Sequence, residues 1–373
     1  MNLIISHGFE ANYVVGFVRG LAANGVKFTV LSSDELAPRL DRAGIPHRNI
    51  RGCQDEKRPA WQKAANLARY YLLLFWLIFK HRGGSHHFVG LLTSRIILFD
   101  GVFIPLWLRL WSGRYIHTAH NALPHSRERS KLFKRAYRWI YRWPHTILTH
   151  TVKVSQQLQN DFGVEPARIA TISIGLNEEV AKSPLSSNEA RLQLNLPTAA
   201  PLVLFFGKIE HYKGVDLLLR AWEQVKTPDA QLVIAGQCPD ANYGRLLREL
   251  IDASARRTTI HWREGFVPND TVALLLAAAD VVALPYRNIY QSGVVFLCMN
   301  HGIPAVATDV GSMAEFISPE TGIIAKSNEP AGVAAAIDLF FVQRDRFDRS
   351  VISVYARKYH WNLQCQQIRH LYK

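Results

Sequence analysis

Cysteine is scarce and scattered. The chain has four in 373 residues, Cys53, Cys238, Cys298 and Cys365, with no paired spacing among them. That pattern supplies neither a disulfide framework nor a zinc site, and it suits a reducing cytoplasm. Long hydrophobic runs are also missing. The most apolar stretch, Tyr70 to Phe79, is bounded by Arg69 and Lys80 and falls well short of the ~20 residues that cross a bilayer, so it reads as a core or interfacial helix. The run from Phe88 to Trp111 is longer, but Gly90 and Gly101 break it and Arg95, Asp100 and Arg109 charge it; strand, turn and helix are expected there. The opening MNLIISHG lacks a basic lead and a cleavable apolar region, and reads as a first β-strand with no mark for export. Acidic groups are outnumbered, 30 Asp and Glu against 44 Lys and Arg, which leaves a net charge of +14. Such a field attracts polyanions, and both nucleic acid and anionic membrane qualify. No helix-turn-helix, RRM or zinc module accompanies the charge, which sets nucleic acid aside.

The cations gather between Arg127 and Trp143, RERSKLFKRAYRWIYRW, where Trp139, Ile140 and Trp143 interleave with Lys131, Lys134, Arg135, Arg138 and Arg142. That mixture suits an interfacial helix whose apolar groups enter the headgroup region while its cations meet anionic lipid. The plainer alternative is a surface helix with its aromatics turned to the core.

With 48% apolar residues, the chain can build real cores, and its length implies about two domains of ~100–200 residues each. Apolar strands alternate with helices throughout. Strands are expected at Asn2–Ser6, Lys27–Leu31, Phe88–Leu91, Arg114–His117, Thr146–Thr149, Ile169–Ile172, Leu202–Phe206, Gln231–Ala235, Thr259–Trp262, Val281–Leu284 and Ala305–Ala307. That alternation means right-handed βαβ units, an α/β class and parallel sheets. The polar stretch Glu179 to Ala200, rich in Ser, Asn and Pro, suggests the domain connection. The expected domains are therefore 1–180, a linker 181–200, and 201–354, followed by a carboxyl-terminal helix at 355–373. Two doubly wound domains with parallel sheets would face one another across a cleft, with ligands at the carboxyl ends of the strands. The first such turn, His7-Gly8-Phe9-Glu10, lacks the GxGxxG spacing of a dinucleotide site.

The stretch FFGKIEHYKGVDLLL, Phe205 to Leu219, carries the clearest chemistry. An apolar strand ends at Gly207, which allows close approach of a ligand. Lys208 and Lys213 bracket the turn, and Gly214 precedes a helical face of Val215, Leu218, Leu219 and Trp222. Free N–H groups, the helix dipole and two ammonium groups favour an anion there. Taken alone, the segment also fits an ordinary strand-to-helix turn with two solvated lysines.

Three further segments follow in order: LVIAGQC (Leu232–Cys238), GFVPNDTVALLLAAADVVALPY (Gly265–Tyr286) and QSGVVFLCMNHGIPAVATDVGSMAEFI (Gln291–Ile317). Together the four resemble the donor half of a GT-B glycosyltransferase, most closely the retaining glycosyltransferase family 4, or glycosyl transferases group 1. The amino-terminal half is similar through RYIHTAHNALP (Arg114–Pro124) and the unit Trp143–Asn177, and Tyr355–Tyr372 looks like the fold's last helix returning to the first domain.

The resemblance implies a GT-B fold of two Rossmann-like domains. It implies that Lys208 and Lys213 neutralise a leaving diphosphate and that the turn Ser292-Gly293-Val294 opens a helix whose N–H groups hold it. Gly207, Gly236, Gln237, Phe266, Val267 and Gln291 would line the nucleotide, and Glu315 matches an acidic position near it. His120 would face the donor sugar and help orient the reacting carbon; by itself, a lone histidine after a strand is more simply a packed or capping residue. The acceptor would meet Gly8, Phe9, Glu10 and Asn121, with the loops 8–12, 120–129 and 51–57. No cofactor is implied beyond the nucleoside diphosphate sugar, and no metal.

One departure stands out. The family usually carries two glutamates around the phosphate-binding helix, one near the sugar and one for the ribose hydroxyls. Here the positions read Ile289-Tyr290-Gln291-Ser292 and Leu297-Cys298. Loss of such hydrogen bonds costs ~0.5–3 kcal/mol. Compensation by Gln291, Ser292 and the phosphate lysines is expected.

The resulting expectation is retaining transfer of a hexosyl group from a UDP- or GDP-sugar to a polyprenyl-diphosphate-linked saccharide. The site would be the inner face of the cell membrane, in exopolysaccharide or envelope glycan synthesis. The alternative is a catalytically silent GT-B scaffold that binds a partner protein or membrane.

Overall fold

All strand pairings among the described residues are parallel. Parallel strands need a crossover between each pair and cover on both faces, so a helix follows nearly every strand and the strands are apolar. The computed structural model describes residues 1–6, 11–55, 57–89, 97–123, 131–178 and 180–373. It divides into two units, Met1–Gly175 with Tyr359–Lys373, and Leu176–Lys358.

The first unit holds seven strands: β1 (Asn2–Ile5), β2 (Phe28–Ser32), β3 (His47–Asn49), β4 (Ser85–Phe88), β5 (Arg114–Thr118), β6 (Thr146–Thr149) and β7 (Ile169–Thr171). Their order is β3-β2-β1-β4-β5-β6-β7. Its helices are α1 (Ala11–Ala23), α2 (Ala37–Arg42), α3 (Ala60–Lys80), α4 (Ile97–Trp111), α5 (Lys131–Arg142) and α6 (Val152–Phe162). The second unit holds β8 (Leu202–Phe206), β9 (Gln231–Gly236), β10 (Ile260–Glu264), β11 (Val281–Leu284), β12 (Ala305–Ala307) and β13 (Gly322–Ile324), ordered β10-β9-β8-β11-β12-β13. Its helices are α7 (Ser187–Gln193), α8 (Val215–Trp222), α9 (Ala241–Asp252), α10 (Asn269–Ala278), α11 (Gly293–Asn300), α12 (Met313–Phe316), α13 (Pro330–Val342) and α14 (Arg349–Ala356). The last helix, α15 (Trp361–Ile368), returns to the first unit and packs on α1. Both sheets are the doubly wound, Rossmann-like kind: strand order reverses once in each, at β1/β4 and at β8/β11.

Several segments depart from expectation for identifiable reasons. The strand expected at Phe88–Leu91 is β4, Ser85–Phe88, made mostly of polar residues yet fully buried. Partners are supplied for each: the Ser85 hydroxyl donates to the Leu371 carbonyl at 2.9 Å, His86 Nδ1 lies 2.8 Å from the Ser112 hydroxyl, and His87 reaches Tyr372 and Thr118 at 2.6 and 2.7 Å. A search for apolar runs passes over such a strand. The short edge strand β3 and the three-residue β13 escape for want of a run. Residues 181–200 hold α7, and they belong to the second unit. Their polar character comes from a capping box, Ser186 with Glu189, and from buried Arg191. Its guanidinium meets the Asp280 carboxylate at 3.0 Å and donates to the Thr198 and Ala200 carbonyls. In α5, Tyr137, Ile140 and Tyr141 turn inward, so its exposed apolar groups reduce to Leu132 and Trp139; residues 127–130 of that basic stretch lie outside the described residues.

The return of α15 rests on three glycines. A Cβ at Gly16 or Gly175 would collide with the Trp361 ring, and one at Gly20 would sit 2.6 Å from the Trp361 carbonyl oxygen. Helix propensity favours Gly→Ala by ~1 kcal/mol, whereas forcing atoms into a packed contact costs ~1–3 kcal/mol. Gly20→Ala is therefore expected to lower stability, and Trp361→Ala to lower it by ~3–5 kcal/mol. Urea unfolding reads both; a Gly20→Ala protein more stable than wild type would contradict this packing.

Candidate functional site

Three neighbouring strands of the second unit end in glycines with positive φ: Gly207 after β8 (φ 124°), Gly236 ending β9 (φ 155°) and Gly265 after β10 (φ 125°). Side chains are rare in that conformation. Here the backbones also touch, since a Cβ on Gly236 would collide with the Gly207 carbonyl. The rim is knitted by backbone bonds, Gly207 N to Ala235 O at 3.0 Å, Ile209 N to Gln237 O at 2.8 Å and Gly265 N to Gly236 O at 3.2 Å. The carboxyl edge of the sheet is thus bare main chain, open to a ligand's close approach.

Beyond Gly207 the chain makes a short 3-10 turn, His211–Lys213, that brings Lys213 back over the glycine. Its Nζ lies 3.2 Å from where a Gly207 Cβ would stand, and Val294 Cγ2 lies 3.8 Å from the same point. Val294 belongs to the first turn of α11, which begins at Gly293 after N-cap Ser292, and no side chain caps that end. An ammonium group, a bare glycine and a helix N-terminus therefore converge at the β8/β11 switch point. All three favour an anion. Burial pushes the Lys213 ammonium down to about 8, with Glu210 pulling it up and Lys208 adding to the depression. Lys208 itself is half-exposed and pairs with Glu210 at 2.7 Å.

The turn is pinned from beneath. Gly214, at φ 68°, admits the Pro285 carbonyl where a Cβ would collide. Arg287 N donates to Tyr212 O at 2.7 Å, and the Arg287 guanidinium grips both Asp216 oxygens at 2.7 Å each. The Tyr243 hydroxyl adds a third bond to Asp216 at 2.6 Å. Burial works against the Asp216 charge, but the bonds from Arg287 and Tyr243 prevail and hold its carboxyl below the usual range. A bidentate Arg–carboxylate fork fixes orientation as well as distance. Sequence reasoning missed Asp216, Tyr243 and Arg287. The available signal was an aspartate set inside the apolar run Val215 to Leu219.

The other residues expected to line a nucleotide follow β9, β10, β11 and β12 in the chain. Gln237 is exposed, Val267 is half-buried, and Phe266 is 82% exposed. Gln291 is half-buried, and the Ser292 hydroxyl lies 3.3 Å from that of Tyr286. Gly311 presses its backbone on the Ile289 carbonyl, and Glu315 is exposed in the first turn of α12. Leu297 and Cys298, at the second glutamate position, are buried in the core.

In the first unit, His120 follows β5 and is buried. Its Nε2 lies 3.0 Å from the Val89 carbonyl, and its ring meets Tyr13 edge-on at 4.7 Å and His150 at 5.5 Å. His117 and His150 are driven down to about 3, first by burial and then by His120. Around neutral pH they are uncharged. The Asn121 carbonyl accepts from the Tyr141 hydroxyl at 3.3 Å. Gly8, Phe9 and Glu10 lie outside the described residues. Among the described residues, no three His, Cys, Asp or Glu side chains group closely enough to hold a metal ion.

Comparison with known proteins bears on both units. Residues 11–180 match the family model described as Glycosyltransferase Family 4, and residues 200–341 match Glycosyl transferases group 1. The D-inositol 3-phosphate glycosyltransferase of Corynebacterium aurimucosum is 25% identical over 293 residues, 70% of this chain and 66% of the relative. An uncharacterized glycosyltransferase of Methanocaldococcus jannaschii is 26% identical over 237 residues, covering 61% and 59%. The chain thus spans under two thirds of the length of these two relatives. The alpha-D-kanosaminyltransferase of Streptomyces kanamyceticus is 24% identical over 297 residues, covering 78% and 74%. Among solved structures, the HepE protein of Anabaena in complex with UDP-glucose superposes with a TM-score of 0.75 at 16% identity, over 99% and 98% of the two chains. Sucrose-phosphate synthase of Thermosynechococcus elongatus gives 0.75 at 19%, over 100% and 98%. The two family models account for all but the ends and a short internal stretch, the neighbours share the two-sheet fold, and the chain belongs to the GT-B glycosyltransferases of family 4 and group 1.

Proposed function

We propose that the protein is a retaining hexosyltransferase that uses a UDP- or GDP-sugar. The observation that carries this is the convergence of the Lys213 ammonium, the bare Gly207 backbone and the α11 N-terminus on one point. In this reading the diphosphate lies there, with Lys208 at its outer side. Bond cleavage at the sugar builds negative charge on the leaving phosphate. Preorganised cations and N–H groups stabilise that charge most when they are shielded from water. The reaction so drawn uses no metal ion. Gly236, Gln237, Phe266 and Val267 would receive the base, Gln291 and Ser292 the groups that family glutamates otherwise serve, and Glu315 the sugar. His120 would orient the transferred sugar. A front-face route fits, with the departing phosphate helping to deprotonate the acceptor, since no carboxylate nucleophile is named by the sequence. The relatives' names, D-inositol 3-phosphate glycosyltransferase and alpha-D-kanosaminyltransferase, support sugar transfer in general.

For the acceptor we favour a polyprenyl-diphosphate-linked saccharide, met at the inner face of the cell membrane during exopolysaccharide or envelope glycan assembly. The support is the basic, aromatic first unit. The silent-scaffold reading draws on one observation, the apolar Leu297 and Cys298 where a ribose acceptor is usual.

Lys213→Ala should weaken UDP or GDP binding by roughly 10–100-fold, the worth of a charge-assisted hydrogen bond at ~1.5–3 kcal/mol, while leaving the thermal unfolding midpoint no lower than wild type. Calorimetry at neutral pH checks it, and unchanged affinity would remove Lys213 from the site. The pH dependence has a definite sign. The free protein holds the Lys213 proton below about 8, and the diphosphate needs it there, so affinity should be full at lower pH and fall as pH rises through that value. Titration in buffers of differing ionisation enthalpy should show proton uptake on binding near pH 8 and none in Lys213→Ala.

A further inference from the structure

Two helices of the first unit carry apolar groups that the core does not use. α3 buries Tyr70, Leu74, Leu77 and Ile78 on one side, as a surface helix should. Along its other side Trp61, Leu72, Trp76 and Phe79 recur at helical spacing, forming a stripe about 27 Å long at ~1.5 Å per residue. α4 broadens it with Phe103 and Leu110, seven residues apart. The two helices are joined by ring contacts, Phe75 with Trp107 at 5.4 Å and Phe79 with Trp111 at 4.7 Å. The six side chains of the stripe are each 40–72% exposed. Contiguous apolar surface of this kind marks an interaction site.

Its border is cationic. The Arg48 guanidinium lies 6.0 Å and the Lys80 ammonium 4.8 Å from the Trp76 ring centre, and Arg82 lies 5.1 Å from that of Phe79. On the far side of α4 packs α5, with Lys131, Arg135 and Arg138 exposed. Rings that enter an apolar layer, with cations held at their edges, match the headgroup zone of a bilayer rich in lipid phosphates. A second copy fits worse: two-fold pairing sets a patch against itself, bringing these cations together on chains that each carry +14. Among the described residues, no helix is long and apolar enough to cross a membrane, so the fit is to a surface.

We propose that the α3–α4 face is where the protein lies on an anionic bilayer, with Trp61, Trp76 and Phe79 entering the headgroup layer. The inference deepens the membrane part of the function proposed above and stands apart from sugar transfer.

The test is co-sedimentation of the full chain with phosphatidylcholine vesicles, with and without phosphatidylglycerol. Wild type should sediment with the anionic vesicles. Trp76→Ser with Phe79→Ser should lower partitioning at least about tenfold, and Trp61→Ser should lower it independently. Both variants should keep wild-type circular dichroism and UDP or GDP affinity. Loss of nucleotide binding in every protein, wild type included, would count against the donor reading alone and leave the docking result standing. The proposal is overturned if wild type stays in the supernatant, if the double variant sediments like wild type, or if analytical ultracentrifugation shows a wild-type dimer that the variant loses.

Discussion

A half-buried ammonium group is the constraint around which the strand ends of the second unit are arranged. Lys213 is costly to hold beside the end of β8 unless an anion comes to meet it, because burial disfavours its charged form. The protein holds it there through groups that never touch the same point: Arg287 and Tyr243 fix Asp216, the Pro285 carbonyl fills the space that Gly214 leaves, and Tyr212 is tied to Arg287. Glycines at three adjacent strand ends then keep the facing edge free of side chains. The result is a positive, preorganised point beside a helix N-terminus. Such a point gains most from a ligand whose charge grows during reaction.

The first unit solves a different problem with polar groups. Its central strand β4 carries Ser85, His86 and His87 into the interior, and the residues around α15 supply two of their partners. The histidines at the ends of β5 and β6 are packed among rings and kept neutral by burial. His120 shares that packing, edge-on to Tyr13 and beside His150, with its Nε2 held at the Val89 carbonyl. The carboxyl-terminal return therefore completes the unit's core as well as closing it.

Much of this was legible from residues alone, and what was not has physical causes. Strands β8, β11, β12 and β6 were read at their observed bounds because each is a short, mostly apolar run between turn residues. Gly207 and Lys213 could be read together because a strand end, a glycine and a lysine before a helix start follow in a recognisable order, whereas Gly293 was joined to them only through the resemblance to the family. By contrast, β4 is polar and depends on partners hundreds of residues away, which no local pattern reveals. The segment 181–200 looked like a linker because a capping box and a buried arginine share a linker's composition. The pinning pair Asp216–Arg287 spans 71 residues, so only the fold brings it into view. The basic stretch 127–143 pointed to α5, which turns Tyr137, Ile140 and Tyr141 inward and keeps Trp139 exposed, whereas most of the exposed rings described in this unit lie on α3 and α4.

The central claim is positional, and a crystal structure of the protein with bound UDP or GDP tests it most directly. The account predicts diphosphate oxygens within hydrogen-bonding distance of Lys213 Nζ and of the backbone N–H groups at Gly293 and Val294, with the Asp216–Arg287 fork intact. A nucleotide bound with its diphosphate away from Lys213 and the α11 N-terminus would contradict it.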